Sequence, residues 1–348
     1  MKTRYLILLM ILCLPYFSCK KSEKREILPG VKKIEIDNAP LFPLSQNMKF
    51  GYIDRSGKFV IYPTYLVAED FHEGLAAVFP EQARGWGFID KNGSFVIEPK
   101  YGHANFFSEE RAWVKRLRTR DPFSATSAEE KYLIINRLGD EVSKPISAKV
   151  QPFKEGLALF ERDNKFGYVD KFGNIVIEPI YLQAGSFSED LANVKNDSKW
   201  CYIDKKNKVS IPPSFDEAYP FSDGLARVRR DNQYFFITKQ GEKAFDKFFK
   251  SAKDYSEGLA AVIIEEKWGF IDRFGQIVIK PELDWAQEFS EGLAQTYIGS
   301  KKGFINKTGK IAFWGDFDQA WPFRNGLSIL RKNHEHFYIN QFGIQVGR

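Results

Sequence analysis

Lys267-Trp268-Gly269-Phe270-Ile271-Asp272-Arg273-Phe274-Gly275-Gln276-Ile277-Val278-Ile279-Lys280-Pro281 is one copy of a phrase that this 348-residue chain repeats nearly from end to end. Each copy continues to an Ala, an aromatic residue three places later, and a Glu-Gly-Leu-Ala stretch, here Ala286, Phe289 and Glu291 to Ala294. Well-kept copies begin at Gly51, Gly87 and Gly167, with degraded ones between and after. Gly139, Gly173, Asn207, Gly241, Gly275, Gly309 and Gly343 stand 34 residues apart. Self-similarity at that period marks a stack of like units, and such a stack seldom holds one unique catalytic site.

Within a copy, Leu259 to Ile264, Trp268 to Asp272 and Ile277 to Ile279 read as three short strands. Asp272-Arg273-Phe274-Gly275 joins the last two: Asp opens a type I turn and Gly supplies the left-handed residue that closes a bulged hairpin. Where Gly is lost, Asn207 replaces it, the residue next most tolerant of that backbone. Pro63, Pro99, Pro145, Pro179, Pro213 and Pro281 follow the third strand and stop its pairing. A connection of about ten residues then carries the Ala column and the column of Phe71, Phe107, Phe153, Phe187, Phe221, Tyr255, Phe289 and Phe323. It reads as a turn packed between neighbouring units.

The fold class that follows is all-β: a tandem array of about nine three-stranded antiparallel units over residues 40–346. A unit this small cannot offset its chain entropy alone, so each depends on its neighbours. Neither end supplies a strand that the other lacks. That favours an open superhelical, solenoid-like stack, with a closed propeller-like ring as the alternative.

Ahead of the array, Lys2 and Arg4 precede an apolar run from Tyr5 to Phe17. The run is too short to span a bilayer and has the place of an export signal. Ser18 then precedes Cys19. Residues 1–18 are read as a signal peptide and 19–39 as a charged tether. The mature part keeps only Cys19 and Cys201, so no disulfide framework is available. Formal net charge is +6, and loss of Lys2 and Arg4 with the signal leaves +4, well interspersed, which does not point to nucleic acid. Aromatic content of 16%, with 32 Phe, reflects reuse of the same columns.

Trp86-Gly87-Phe88-Ile89-Asp90, Lys267 to Asp272 and Phe289 to Ala294 resemble the WG, or KWG, repeat. The resemblance covers roughly residues 40–346. Phe50 and Phe166 stand in place of Trp, and Leu133, Cys201 and Phe235 in place of Gly. The small residue and Cys at 18–19 are similar to a bacterial lipoprotein signal, although Tyr16 occupies the usual Leu position. These resemblances imply a repeat scaffold of the bacterial cell envelope, lipid-anchored through Cys19 on the outer-membrane surface or the periplasmic face, or else secreted. They supply no reaction and no cofactor.

The candidate chemical groups each have a structural role open to them. Asp54, Asp90, Asp170, Asp204 and Asp272 form a ladder, but one Asp per turn is too few oxygens for calcium; they read as turn caps. Glu73, Glu155, Glu257, Glu291 and Asp223 recur before glycine and read as turn or lysine partners. His334 and His336 alternate as strand neighbours on one side would, with no Cys or carboxylate motif to complete a metal site. No nucleophile motif, phosphate loop or dinucleotide fingerprint stands in a convincing context. The inserted loop at 115–131 alone breaks the symmetry, and Lys115, Arg116, Arg118 and Arg120 make it the candidate binding loop. The expected function is therefore non-enzymatic. A monomer, held at the membrane by its N-terminal lipid, presents an extended surface to a protein or glycan partner or serves as an envelope scaffold, with no metal, cofactor or nucleic acid. A site in the groove of the stack is the least favoured reading.

Overall fold

Residues 39–117 and 131–347 are described by the structure, a computed structural model. Cys19, the signal, nearly all of the tether, and Arg118 and Arg120 lie outside the described residues. Every element among the described residues is β, in antiparallel sheets of neighbouring strands.

One unit shows the plan. Lys149–Lys154, Leu157–Arg162, Lys165–Asp170 and Ile175–Tyr181 pair in that order as one meander. To the three strands expected, the structure adds a short fourth at the front. The expected connecting turn does pack between units, but its Ala column also pairs with the Val column: Ala68 with Val78, Ala104 with Val114, Ala184 with Val194, Ala218 with Val228. Ala is small enough for the next unit to close over it, and its backbone pairs like any other. The first three units share one sheet because Phe59–Ala68 and Phe95–Ala104 each end one unit and begin the next.

Tight turns account for the register. Asp231-Asn232 and Asn333-His334 have both residues at positive φ, as two-residue primed turns require. The Asp turns form as expected: Asp272 accepts from the N–H of Phe274 at 2.9 Å and of Gln276 at 2.8 Å, while Gly275 N–H bonds the Asp272 carbonyl at 3.0 Å. The glycine after Trp268 serves close approach. A Cβ on Gly269 would lie 2.7 Å from the Ile279 carbonyl oxygen, backbone against backbone.

No unit has a core of its own. Each hydrophobic cluster draws on two neighbours: Tyr168 and Ile177 pack with Phe187, Val194 and Ile203 of the next unit. The same holds from unit to unit along the chain. Of the two ways such a stack can end, free or joined, the described residues take the second. Phe42, Leu44, Ile53 and Phe59 of the first unit form one cluster with Leu327, Ile329, Tyr338 and Val346 of the last. Tyr338 donates to the Pro43 carbonyl at 3.0 Å, and Arg55 Nε to the Asn325 carbonyl at 2.8 Å. Gly57 lies so near Gly347 that a Cβ would be 2.2 Å from its nitrogen. The lack of an exchanged strand, which favoured free ends, does not decide the matter, because side-chain packing joins the array.

Two outcomes check this architecture. Phe42→Ala is expected to cost about 3–5 kcal/mol in urea unfolding, as an interior Phe289→Ala would; a terminal unit with free ends would lose far less. Gly269→Ala is expected to destabilise by about 1–3 kcal/mol, because the added methyl overpacks against backbone that cannot yield.

Candidate functional site

Two sets of side chains recur between units, one constant and one variable. The constant set is acidic. Glu73 accepts hydrogen bonds from the N–H groups of Glu109 and Glu110 in the following unit, at 2.5 and 2.8 Å. Glu109 accepts from Gly156 N–H at 2.8 Å, Glu189 from Gly224 at 2.9 Å, Asp223 from Gly258 at 2.7 Å, and Glu291 from Gly326 at 2.7 Å. A basic residue from the next unit's hairpin turn joins most carboxylates: Lys171 meets Glu109 at 3.0 Å, Lys205 meets Glu155 at 3.1 Å, and Lys307 meets Glu257 at 3.0 Å. The sequence-expected role as turn and lysine partners is what the geometry shows. Glu109 and Glu189 belong to the ladder too. They escaped notice because Glu110 and Asp190 follow them where other copies have Gly.

Glu73, Glu109, Glu155, Glu189, Asp223, Glu257, Glu291 and Asn325 all have φ between 50° and 56°. That conformation is unfavourable for Glu, so the next unit's bonds hold it in place. For Glu109 and Glu257, burial works to raise the carboxyl pKa. The lysine bond and the neighbouring N–H groups outweigh burial and hold both below the usual range. A depressed carboxyl contributes stability that is present above its unfolded pKa, roughly 4.3, and lost as pH falls through the folded value. Stability to urea should therefore fall as pH drops below about 4.3, and Glu257→Gln should make that loss shallower.

The residues singled out for chemistry are mostly engaged in structure. Lys115 and Arg116 end the strand Ala112–Arg116 and so precede the loop proper, and the strand Lys131–Ile135 begins at its other edge. Lys115 Nζ sits 4.6 Å from the Tyr132 ring centre, and Arg116 Nε bonds Glu141 at 3.0 Å. The structure does not pair His334 and His336 as expected. His334 occupies the turn with φ 70°, while His336 lies on the strand with its ring 5.6 Å from Trp321. Two-residue turns flip their second residue out of the alternation. Among the described residues, no three His, Cys, Asp or Glu side chains gather as metal ligands. Cys201 is buried at 3% exposure, and burial pushes its thiol pKa up, in keeping with a packing role.

The variable set lies on the first two strands of each unit, at one cross-strand position. It reads Val67 with Phe79, His103 with Lys115, Lys149 with Glu161, Gln183 with Lys195, Glu217 with Arg229, Trp285 with Tyr297 and Gln319 with Arg331. The residue before the Val column varies as well and reaches toward the next unit. Asn193 donates to the Ala218 carbonyl and Arg227 to the Ala252 carbonyl, both at 2.8 Å. Some of these clusters close on themselves. Glu217 accepts from Tyr219 and Tyr234 at 2.9 Å and pairs with Arg229 at 2.7 Å, while Arg227 meets Asp254 at 2.8 Å with Tyr219 stacked 3.5 Å away. The Trp285–Tyr297 pair instead borders a 300 Å³ cleft with Gln287, Gln295, Gln319 and Trp321. Sequence reasoning missed it, because its residues meet only across two units.

Repeat units of this geometry define an all-β repeat protein. The chain belongs to the WG containing repeat family, whose profile matches residues 50–79, 86–116, 134–166, 166–200, 202–234, 234–268, 268–301 and 303–333. No curated protein matches the sequence. In fold it is similar to a solved structure described as the eukaryotic initiation factor, at a TM-score of 0.60 and 11% identity, over 88% of this chain and 94% of that one. Weaker likenesses are to the dihydro-heme d1 dehydrogenase NirN (TM-score 0.46, 12% identity, 92% of this chain, 75% of that one) and to Kluyveromyces lactis Hsv2p (0.39, 10%, 74% and 88%).

Proposed function

We propose that the mature protein is a non-enzymatic binding platform of the bacterial cell envelope, lipid-anchored through Cys19, monomeric, and directed at a protein or glycan partner. The observation that carries the reading is the variable cross-strand position. One backbone site, repeated from unit to unit, bears an ion pair, an amide with a base, an aliphatic–aromatic pair or two aromatic rings. Selection for packing alone would converge such a site, whereas a recognition surface needs it diverse. The Asp and Glu columns that could serve acid–base chemistry are instead committed to turn caps and to the ladder between units.

The test is binding of the purified mature chain to envelope fractions, with alanine replacing variable-position residues two units at a time and circular dichroism confirming the fold. Loss of binding on one set of substitutions supports the platform. Binding indifferent to all of them, or a turnover abolished by a single substitution, would sink it. Anchoring is checked separately: Cys19→Ala is expected to move the protein from the membrane pellet to the soluble fraction. Proteolysis of intact against lysed cells then reports the face exposed.

A further inference from the structure

We infer that the cleft between the eighth and ninth units is a subsite for a neutral glycan, a deepening that rests on the platform reading above. The eighth unit contributes Trp285 and Tyr297, paired across the strands Trp285–Ala286 and Leu293–Ile298. Their rings stack with centres 4.7 Å apart and planes 23° from parallel. From the ninth unit come Trp321, 40% exposed, and Gln319.

The chemistry of the lining selects the ligand. Trp285, Gln287, Gln295, Tyr297, Gln319 and Trp321, completed by an alanine and a proline, include no charged side chain. A carboxamide offers a donor and an acceptor side by side, the pattern that adjacent sugar hydroxyls complement. Gln295 is 7% exposed and is oriented by its bond to the Tyr297 hydroxyl at 3.3 Å. The amides of Gln287 and Gln319 make no hydrogen bond to another described side chain or backbone group, so both have donors and acceptors to offer. Aromatic faces carry partial negative charge and receive the C–H faces of a pyranose ring. A volume of 300 Å³ sits at the lower end for small-molecule sites, about 300–1,000 Å³, and suits one or two sugar rings of a longer chain.

The site is also held in advance of binding. Thr296 Oγ1 donates to the Trp285 carbonyl at 2.8 Å, and Ser328 Oγ to the Trp321 carbonyl at 2.6 Å, so the backbone behind both indoles is pinned. Lys302, whose ammonium lies 5.5 Å from the Tyr297 ring centre, is tied to the carbonyls of Phe317 and Asp318 at 3.2 Å. The lining itself thus places no charged side chain against an acidic ligand. A peptide would leave its charges and backbone amides poorly matched there.

Isothermal titration and tryptophan fluorescence of the full mature chain test the assignment, with cellotriose, maltotriose, mannotriose and triacetylchitotriose as probes. Polygalacturonate and a proline-rich peptide serve as acidic-glycan and protein alternatives. The expected result is saturable binding of at least one neutral trisaccharide, weakened at least tenfold by Trp321→Ala and by Gln319→Ala. Trp314→Ala, equally exposed but outside the cleft, should leave it unchanged. No saturable binding of any neutral probe, equal binding by the Trp321→Ala protein, or preference for either alternative would overturn the inference. Envelope binding that persists in the Trp321→Ala protein while the trisaccharides fail would overturn the cleft and leave the platform standing. Trisaccharide binding without any envelope binding would do the reverse.

Discussion

The structure depends on one aromatic contact made between units. The third strand of each unit offers a large side chain, and the opening segment of the next unit lays an aromatic ring against it. Tyr52 meets Phe71 at 4.7 Å, Tyr168 meets Phe187 at 4.8 Å, Phe236 meets Tyr255 at 4.7 Å and Phe270 meets Phe289 at 4.8 Å. Such tilted and edge-on pairs add about 0.5–1.5 kcal/mol beyond the area they bury. Where the third-strand residue is Tyr, its buried hydroxyl finds a carbonyl of the next unit's opening segment: Tyr52 bonds Glu69 O and Tyr202 bonds Tyr219 O, each at 2.8 Å. Burial of the phenol foremost pushes these hydroxyls above their ordinary pKa, so they stay donors at any ordinary pH. The ninth unit makes its counterpart contact with the first. Tyr338 turns to Phe42 at 5.6 Å and to the Pro43 carbonyl, the same bond made to the other end of the array.

Polar groups follow the same rule of satisfying a neighbour. A Glu in left-handed conformation is an expensive way to make a hairpin turn when Asn or Gly would serve. It recurs because the carboxylate reaches the next turn's N–H groups and meets a lysine or arginine from the strand-joining turn of that next unit. Arg55 closes this ladder as Tyr338 closes the core, by bonding the Asn325 carbonyl. Apolar and charged contacts thus both run around the described array, and neither leaves a unit able to stand alone.

With turns, Ala column, aromatic column and acidic ladder committed to assembly, diversity is concentrated at a few other positions. The cross-strand site on the first two strands is the main one. Ion pairs there are largely self-satisfied, which makes the Trp285–Tyr297 stack with its unengaged glutamines unlike the rest in chemistry. At the cross-strand site such a scaffold separates stability from recognition, whereas the residue before the Val column, as in Asn193 and Arg227, also bonds the next unit.

Much of this was legible before any tertiary structure, because turn chemistry and strand alternation are local. Asp272, Gly275 and their counterparts announce a bulged hairpin, but Pro281 does not end pairing as expected: the strand Ile277–Leu283 runs through it, and Trp268 still pairs with Leu283 after a register shift that accommodates the proline. Recurrence of the Glu before Gly announced a structural partner, though not that the partner belongs to another unit. The fourth strand was hidden because its pairing rests on backbone, with Ala as its only constant sign. The placement of His334 was hidden because a two-residue turn leaves no Gly to mark it. What the sequence by itself determined is the all-β unit, its period and its dependence on neighbours, all set by contacts within about 34 residues of one another. Only the tertiary structure decided that the array joins its ends and that Trp285, Gln295 and Trp321 share a cleft. Those outcomes turn on the angle between successive units, a quantity fixed by packed side-chain volumes and carried by no residue alone.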